Sequence, residues 1–248
     1  METEHQLANE APVAIVLNGT TVAVMMASPQ DLGDFGLGFA LSEGFIQSRD
    51  DVETQDVIAH AAGIEVRLWV AEDRAKAVAE RRRAMLGPIG CGLCGIESLE
   101  QAIRDIPHVA ATTTFSIAEV SSATDALRAY QPLHDQTRAI HAAGLLKPGD
   151  GIVCAREDVG RHNALDKLIG AMMQDQTNCA DGAIVLTSRI SVELVQKAAI
   201  AGYGMIISVS APSLLSVETA EAANITLVAL CNEQQASILT HPSRISDI

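Results

Sequence analysis

The sequence predicts an α/β protein: a mostly parallel sheet with helices on both faces, preceded by a smaller β-rich subdomain. Three observations predict it. From Gly151 onward, short apolar runs alternate with helical stretches, the rhythm of parallel strands joined by right-handed crossovers. Earlier in the chain, β-branched apolar runs flank Asn18-Gly19, the dipeptide suited to a two-residue hairpin turn. At 248 residues the chain holds one large domain or two small ones, and the change of rhythm divides it into a β-rich part, 1–110, and an α/β part, 111–248.

Pro12–Leu17 and Thr20–Met26 make the first hairpin. Ser28-Pro29-Gln30-Asp31 offers an N-cap, a proline at the first helical position and a carboxylate at the third, opening a helix toward Ser42-Glu43-Gly44. Val57–His60 and Ile64–Val70 read as a second hairpin across Gly63. Between Ala71 and Leu86 the chain is polar and alanine-rich, a helix or arm ending in Arg81-Arg82-Arg83, whose side chains form no single face. Ile96, Leu99, Ile103 and Ile106 recur at helical spacing, so a helix starts at about Gly95. Ser116-Ile117-Ala118-Glu119 is a capping box for a helix toward Tyr130. The strands Gly151–Ala155, Gly182–Thr187, Met205–Val209 and Ile225–Leu230 then alternate with the helices Asn163–Met173, Val192–Ala201 and Leu214–Ala223.

With 31 acidic and 17 basic residues the formal charge is -14, which argues against nonspecific nucleic-acid binding and against attachment to an anionic membrane. No apolar run is long enough for a membrane span, and Met1-Glu2-Thr3-Glu4-His5 is acidic where a signal peptide is basic. A cytoplasmic protein is predicted. Five irregularly spaced cysteines do not make a disulfide framework.

Two of them stand in a glycine bracket, Gly90-Cys91-Gly92-Leu93-Cys94-Gly95. Pro88 and Gly87 stop an incoming helix, and the glycines let the backbone bend or a second molecule approach. At the N-terminus of the following helix, amides and dipole favour a thiolate, while Glu97 and Glu100 oppose it. Three readings stay open: reactive thiols, a zinc site, or thiols that merely fill space. Zinc calls for four ligands, and Cys154, Cys179 and Cys231 are singles; the space-filling reading suits those singles better than the pair. A thiol-disulfide oxidoreductase could use the same pair.

In open α/β sheets ligands bind beyond the carboxyl ends of the strands. The strand ends here are Arg156-Glu157-Asp158-Val159-Gly160-Arg161-His162-Asn163, Ser188-Arg189, Ser210-Ala211-Pro212-Ser213 and Cys231-Asn232. Arg156, Arg161, Arg189 and nearby Lys167 suit an anionic ligand, since guanidinium matches phosphate and helix N-termini add donors. Asp158, Asn163 and Asp166 carry groups that pair with a base edge. Singly, each has a structural reading too: His162 or Asp166 as helix caps, Arg189 as a partner of Glu193.

These residues carry a resemblance. Asn18-Gly19, Leu37–Ile46, Cys91-Gly92-Leu93-Cys94-Gly95, Arg156–Lys167, Ser188–Lys197 and Ser210–Ser213 resemble the corresponding segments of the FdhD family, sulfur carriers required for formate dehydrogenase activity. The resemblance covers nearly the whole chain, and the segment from Arg156 is far more specific than the cysteine pair. It implies a cytidine deaminase-like fold with an added smaller domain, and a homodimer. It also implies a sulfurtransferase that takes sulfane sulfur from a cysteine desulfurase and passes it to the molybdenum of bis-molybdopterin guanine dinucleotide, destined for formate dehydrogenase. A guanine nucleotide such as GDP would occupy the same site. By match to the motif, Cys91 bears the persulfide and Cys94 is its partner. The cofactor would lie against Asp158, Gly160, Arg161, His162, Asn163, Asp166, Lys167, Ser188, Arg189 and Ser210, and against the stretch Cys231, Asn232, Glu233, Gln234, Gln235 and Ala236. That stretch lacks the arginines of the family pattern, and Arg138-Ala139 stands where two glycines are usual. A binding protein that shelters the cofactor without moving sulfur is the alternative from a different class.

Overall fold

The computed structural model describes residues 6–71, 74, 106–177, 179–232 and 235–247. The cysteine pair, the helix expected from Gly95 and all but residues 71 and 74 of the expected arm lie outside the described residues.

Both early hairpins form. β1 (Ala11–Leu17) pairs with β2 (Thr20–Ala27), and Asn18 and Gly19 take φ of 46° and 77°, the doubly left-handed turn that matches strand twist. β3 (Val52–His60) pairs with β4 (Gly63–Val70), and the four strands form one sheet in the order β2-β1-β4-β3, with β1 and β4 parallel. Helix α1 (Leu32–Ser42) is buried along almost its whole length. It starts later than the Ser-Pro signal predicts: Asp31, at φ 53°, is the N-cap, and Ser28 makes no cap. Tertiary bonds have claimed the Ser28 amide and hydroxyl instead, as described below.

α2 (Ile117–Arg128) begins at the predicted capping box, where the Ser116 hydroxyl accepts the Glu119 amide at 3.2 Å and the Glu119 carboxylate accepts the Ser116 amide at 2.8 Å. Short strands β5 (Phe115–Ser116) and β12 (Ile245–Ser246) pair beside it. A short helix α3 (Pro132–Thr137) follows. The second sheet comprises β6 (His141–Lys147), β7 (Gly151–Asp158), β8 (Ala183–Leu186), β9 (Met205–Ser208), β10 (Thr226–Asn232) and β11 (Gln235–Ile238), in the order β11-β10-β9-β8-β6-β7. Its helices are α4 (Arg161–Gln174), α5 (Val192–Ile200) and α6 (Leu214–Ala222).

The sheet is mixed, which corrects the expectation of a mostly parallel one. Only β8–β9 and β9–β10 pair in parallel; β11–β10, β8–β6 and β6–β7 are antiparallel. The cause is β6, which the sequence reading missed. Ala142-Ala143-Gly144-Leu145-Leu146 has no β-branched residue, and it is drawn into the sheet by a hairpin whose glycines, Gly149 and Gly151, take φ of 78° and 73°.

Helices do cover both faces. Val120, Ala123 and Leu127 of α2 pack with Ala142, Val185 and Ile207 on one face. On the other face, Leu165 and Leu168 of α4 join Leu145, Ile184 and Ile206, and this core runs on through Phe35 and Leu37 of α1 to Val13, Ile15 and Val66 of the first sheet. The α1–α4 pair is therefore the layer between the two sheets. Among the described residues, no helix is long and apolar enough to cross a membrane.

Candidate functional site

Because β7 is antiparallel to β6, and β6 to β8, β7 runs with β8, β9 and β10. The carboxyl ends of all four therefore meet on one edge. Ser208 locks that edge: its hydroxyl donates to the Ser188 carbonyl and accepts the Ser210 amide at 3.1 Å. Two helices start there, α4 after Gly160, which has no side chain to cap it, and α5 after Ser191, whose hydroxyl accepts no amide of its helix. The two helix dipoles favour negative charge at this edge.

The residues predicted for the edge divide by how they are engaged. Asp158 and Lys167 are fully buried and pair at 2.7 Å. The Asp158 carboxylate also accepts the Ser28 amide at 2.9 Å, the Gly160 amide at 2.8 Å and Asn163 Nδ2 at 3.0 Å. Lys167 Nζ donates to the carbonyls of Ser28 at 2.9 Å and Glu157 at 3.3 Å, and Asn163 Nδ2 also donates to the Met26 carbonyl at 2.9 Å. This knot fastens the end of β2 to the turn between β7 and α4. Arg156 likewise reaches back to α1, with Nε 2.7 Å from Asp34. Glu157 accepts the amides of Leu133 and His134, both at 2.8 Å, and so caps α3 from outside.

Asp166 belongs to a second knot. Lys197 Nζ donates to both its carboxylate oxygens at 2.9 Å, to Glu43 at 3.1 Å and to the Ser42 hydroxyl at 2.8 Å, while Ser42 donates to Asp166 at 2.7 Å. Against burial, which lowers it, Asp166 and Glu43 hold the Lys197 ammonium above its ordinary pKa. The sequence reading gave Ser42, Glu43 and Lys197 no role. The signal for Lys197 is a charged residue on an apolar helix stripe, one turn from Leu194 and Ile200.

Two cations remain available. Arg189 is exposed, and the expected pair with Glu193 does not form. Arg161, the first residue of α4, has its Nε buried with no hydrogen-bond partner among the described residues. A buried orphan donor at an uncapped helix N-terminus fits an anionic group such as a phosphate. The Cys231 side chain points elsewhere: its thiol donates to the Val120 carbonyl under α2 at 3.0 Å, and burial pushes its pKa up to about 11. Asn232 and Gln235 face each other across the β10–β11 hairpin, Ala236 packs on the core beneath, and Glu233 and Gln234 lie outside the described residues.

Between the first turns of α4 and α5 a cavity of about 210 Å³ opens, reaching down to Lys197 and Asp166. His162 and Glu193 stand in it. His162 Nε2 is 3.3 Å from the Ser191 hydroxyl and 3.9 Å from the Glu193 carboxylate. Burial, with the positive charges of Arg161 and Lys197, lowers its pKa from 6.5 to about 4. Between those values the unfolded chain binds a proton that the folded chain does not, so stability is full above the upper value and falls as pH drops toward the lower. Allowing for the ring's partial exposure, about 1–2 kcal/mol should be lost from this source between pH 7 and pH 4. His162→Asn should flatten that part of the curve of urea midpoint against pH; curves that stay parallel would refute it.

Comparison with known proteins supplies the relationship. A sequence profile described as the FdhD/NarQ family matches residues 8–246. The chain belongs to the FdhD/NarQ family. It is 45% identical over 243 residues to "Sulfur carrier protein FdhD" of Agrobacterium fabrum, covering 98% of this chain and 90% of that one. Its structure is similar, with a TM-score of 0.75 and 26% identity, to a crystal structure from Desulfotalea psychrophila assigned to a formate dehydrogenase accessory protein, over 96% of this chain and 90% of that one. The FdhD/NarQ match thus spans both sheets and the edge where the strand ends meet.

Proposed function

We propose that this protein is a sulfur carrier for formate dehydrogenase. It takes sulfane sulfur from a cysteine desulfurase as a persulfide on Cys91 and delivers it to the molybdenum of a bis-molybdopterin guanine dinucleotide, its bound substrate. The observation that carries the binding half is the strand-end edge, where the N-termini of α4 and α5 meet Arg161, whose buried Nε has no partner among the described residues, and the exposed Arg189, donors for an anionic dinucleotide. The near full-length relationship to a sulfur carrier protein supports the transfer half.

The chemistry balances with the cysteine pair alone. The Cys91 thiolate attacks the terminal sulfur of the desulfurase persulfide; the new bond is Cys91 Sγ–S, and the desulfurase leaves as its thiolate. Cys94 then attacks Cys91 Sγ, a Cys91–Cys94 disulfide forms, and the outer sulfur departs as sulfide toward the metal. The two cysteines give up the two electrons that the sulfane sulfur gains, and a cellular thiol reductant restores the pair.

Intact-protein mass spectrometry under nonreducing conditions, after incubation with a cysteine desulfurase and cysteine, tests this. A gain of one sulfur, reversed by reductant and absent in Cys91→Ala, is expected. No gain with an active desulfurase would overturn sulfur transfer and leave cofactor binding alone. Cys94→Ala should load sulfur but release it slowly; release at the wild-type rate would remove the role given to Cys94.

A further inference from the structure

We propose that a shelf of leucines beside the strand-end edge, Leu214, Leu215 and Leu230 together with Val209, is the surface on which the apo form of the recipient dehydrogenase docks to take the cofactor. This rests on the reading of the protein as a carrier for formate dehydrogenase, and it names the face through which the cofactor is delivered.

Two inversions of ordinary packing make the shelf. The first is in α6. Its first turn buries Ser216 completely, with the hydroxyl donating to the Ser213 carbonyl at 2.7 Å, and leaves Leu214 and Leu215 75% and 42% exposed. A helix that only had to cover the sheet would turn leucine inward and serine outward.

The second is in β10. Leu230 holds φ at 52°, and among the described non-glycine residues with positive φ it alone is apolar. Between the pairs Ala229–Ser237 and Asn232–Gln235, two residues of β10, Leu230 and Cys231, stand opposite one of β11, so the strand bulges there. A left-handed backbone is strained for leucine, and glycine would relieve it. The bulge leaves the Cys231 thiol under α2 and the Leu230 side chain 44% exposed.

The pieces adjoin. The Leu230 amide donates to the Ser210 carbonyl at 3.4 Å. Leu230 therefore lies against the connection from β9 to α6, which carries the exposed Val209 at one end and Leu214 and Leu215 at the other.

Position and size decide what covers the shelf. Ser210 within the connection, and the stretch that follows Leu230, are residues expected to hold the cofactor, so a protein seated on the shelf faces that substrate directly. The four side chains expose roughly 350 Å², the size of a functional patch on a monomer and well short of what a permanent dimer buries. That area suits a partner that arrives, takes the cofactor and leaves.

Biolayer interferometry of the full-length protein against purified apo-formate dehydrogenase of the same organism tests this. The wild type should bind reversibly, and Leu214→Glu should weaken binding at least about 10-fold, the effect of spoiling one central apolar contact. Leu230→Gly separates docking from a structural role: it should weaken binding about 5- to 10-fold while raising the urea midpoint, because the strain and the contact leave together. Both variants should keep the wild-type gain of one sulfur from the desulfurase and the wild-type sedimentation. Unchanged binding in both variants, or a lower urea midpoint for Leu230→Gly, would overturn the shelf. A changed sedimentation would overturn it too, by making the surface a contact between copies of this chain. A wild type that gains sulfur but does not bind the apoenzyme would overturn the docking and leave the carrier reading intact; failure of both would overturn both.

Discussion

Gly38→Ala is expected to cost at least about 3 kcal/mol of stability, because helix α1 lies on α4 with no room for a methyl group. A Cβ at Gly38 would fall 1.7 Å from the Asp166 carbonyl oxygen, and one at Gly170 would fall 1.9 Å from the Asp34 carbonyl oxygen. Both obstacles are backbone, so no rotamer change relieves them; the helices must part. Parting them draws Ser42 on α1 away from Asp166 on α4, and with it the buried knot around Lys197. Gly33→Ala in the first turn of α1 is the control. There a Cβ meets only the end of the Gln55 side chain, at 3.0 Å, and the variant should stay within about 1 kcal/mol of wild type. Urea unfolding of the three proteins checks this, and equal midpoints for Gly38→Ala and Gly33→Ala would refute the close approach.

Gly38 shows how the sequence could be legible in pattern and opaque in cause. It stands inside the expected helix toward Ser42-Glu43-Gly44 and inside Leu37–Ile46, a segment that carries the resemblance, while nothing local says that a second helix passes at backbone distance. Signals confined to a few neighbouring residues were read correctly: the Asn-Gly turn, the Ser116 capping box and the apolar strand runs. Signals that competed with tertiary bonds were not. Ser28 has the sequence of a helix cap, but its amide bonds Asp158 and its hydroxyl accepts the Val159 amide, 130 and 131 residues away. β6 lacked strand propensity and was missed, although it separates β7 from β8 and makes the sheet mixed.

The same division runs through the candidate site. Strand order and helix starts placed the edge, since polar residues after strands converge wherever the strands run together. What each polar residue does there depends on partners from distant segments. Lys167 and Arg156 were grouped with Arg161 and Arg189 as cations for an anion, yet the first pair is engaged with Asp158 and Asp34 and the second is not. Charge type alone carries no information on that difference.

Lys197→Met should be among the most damaging single substitutions that leave the backbone unobstructed, with an expected loss of about 3–5 kcal/mol. The ammonium pairs with two buried carboxylates, Asp166 and Glu43, at 2.9 and 3.1 Å. Methionine fills a similar volume, so packing changes little, and the cost is that of leaving negative charge buried. Burial and the nearby Glu43 charge raise the Asp166 pKa while Lys197 and the Ser42 hydroxyl lower it; without the lysine, Asp166 must take up a proton or stay charged and buried beside Glu43. Stability of Lys197→Met should therefore recover toward mildly acidic pH, the reverse of the trend expected from His162. Adding Asp166→Asn to Lys197→Met should restore part of the loss, because an amide needs no counter-ion. Urea midpoints for the two single variants and the double, at pH 7 and at mildly acidic pH, separate these effects. Additive losses, or a Lys197→Met protein as stable as wild type, would mean that the cluster at the floor of the cavity does not hold α1, α4 and α5 together by charge.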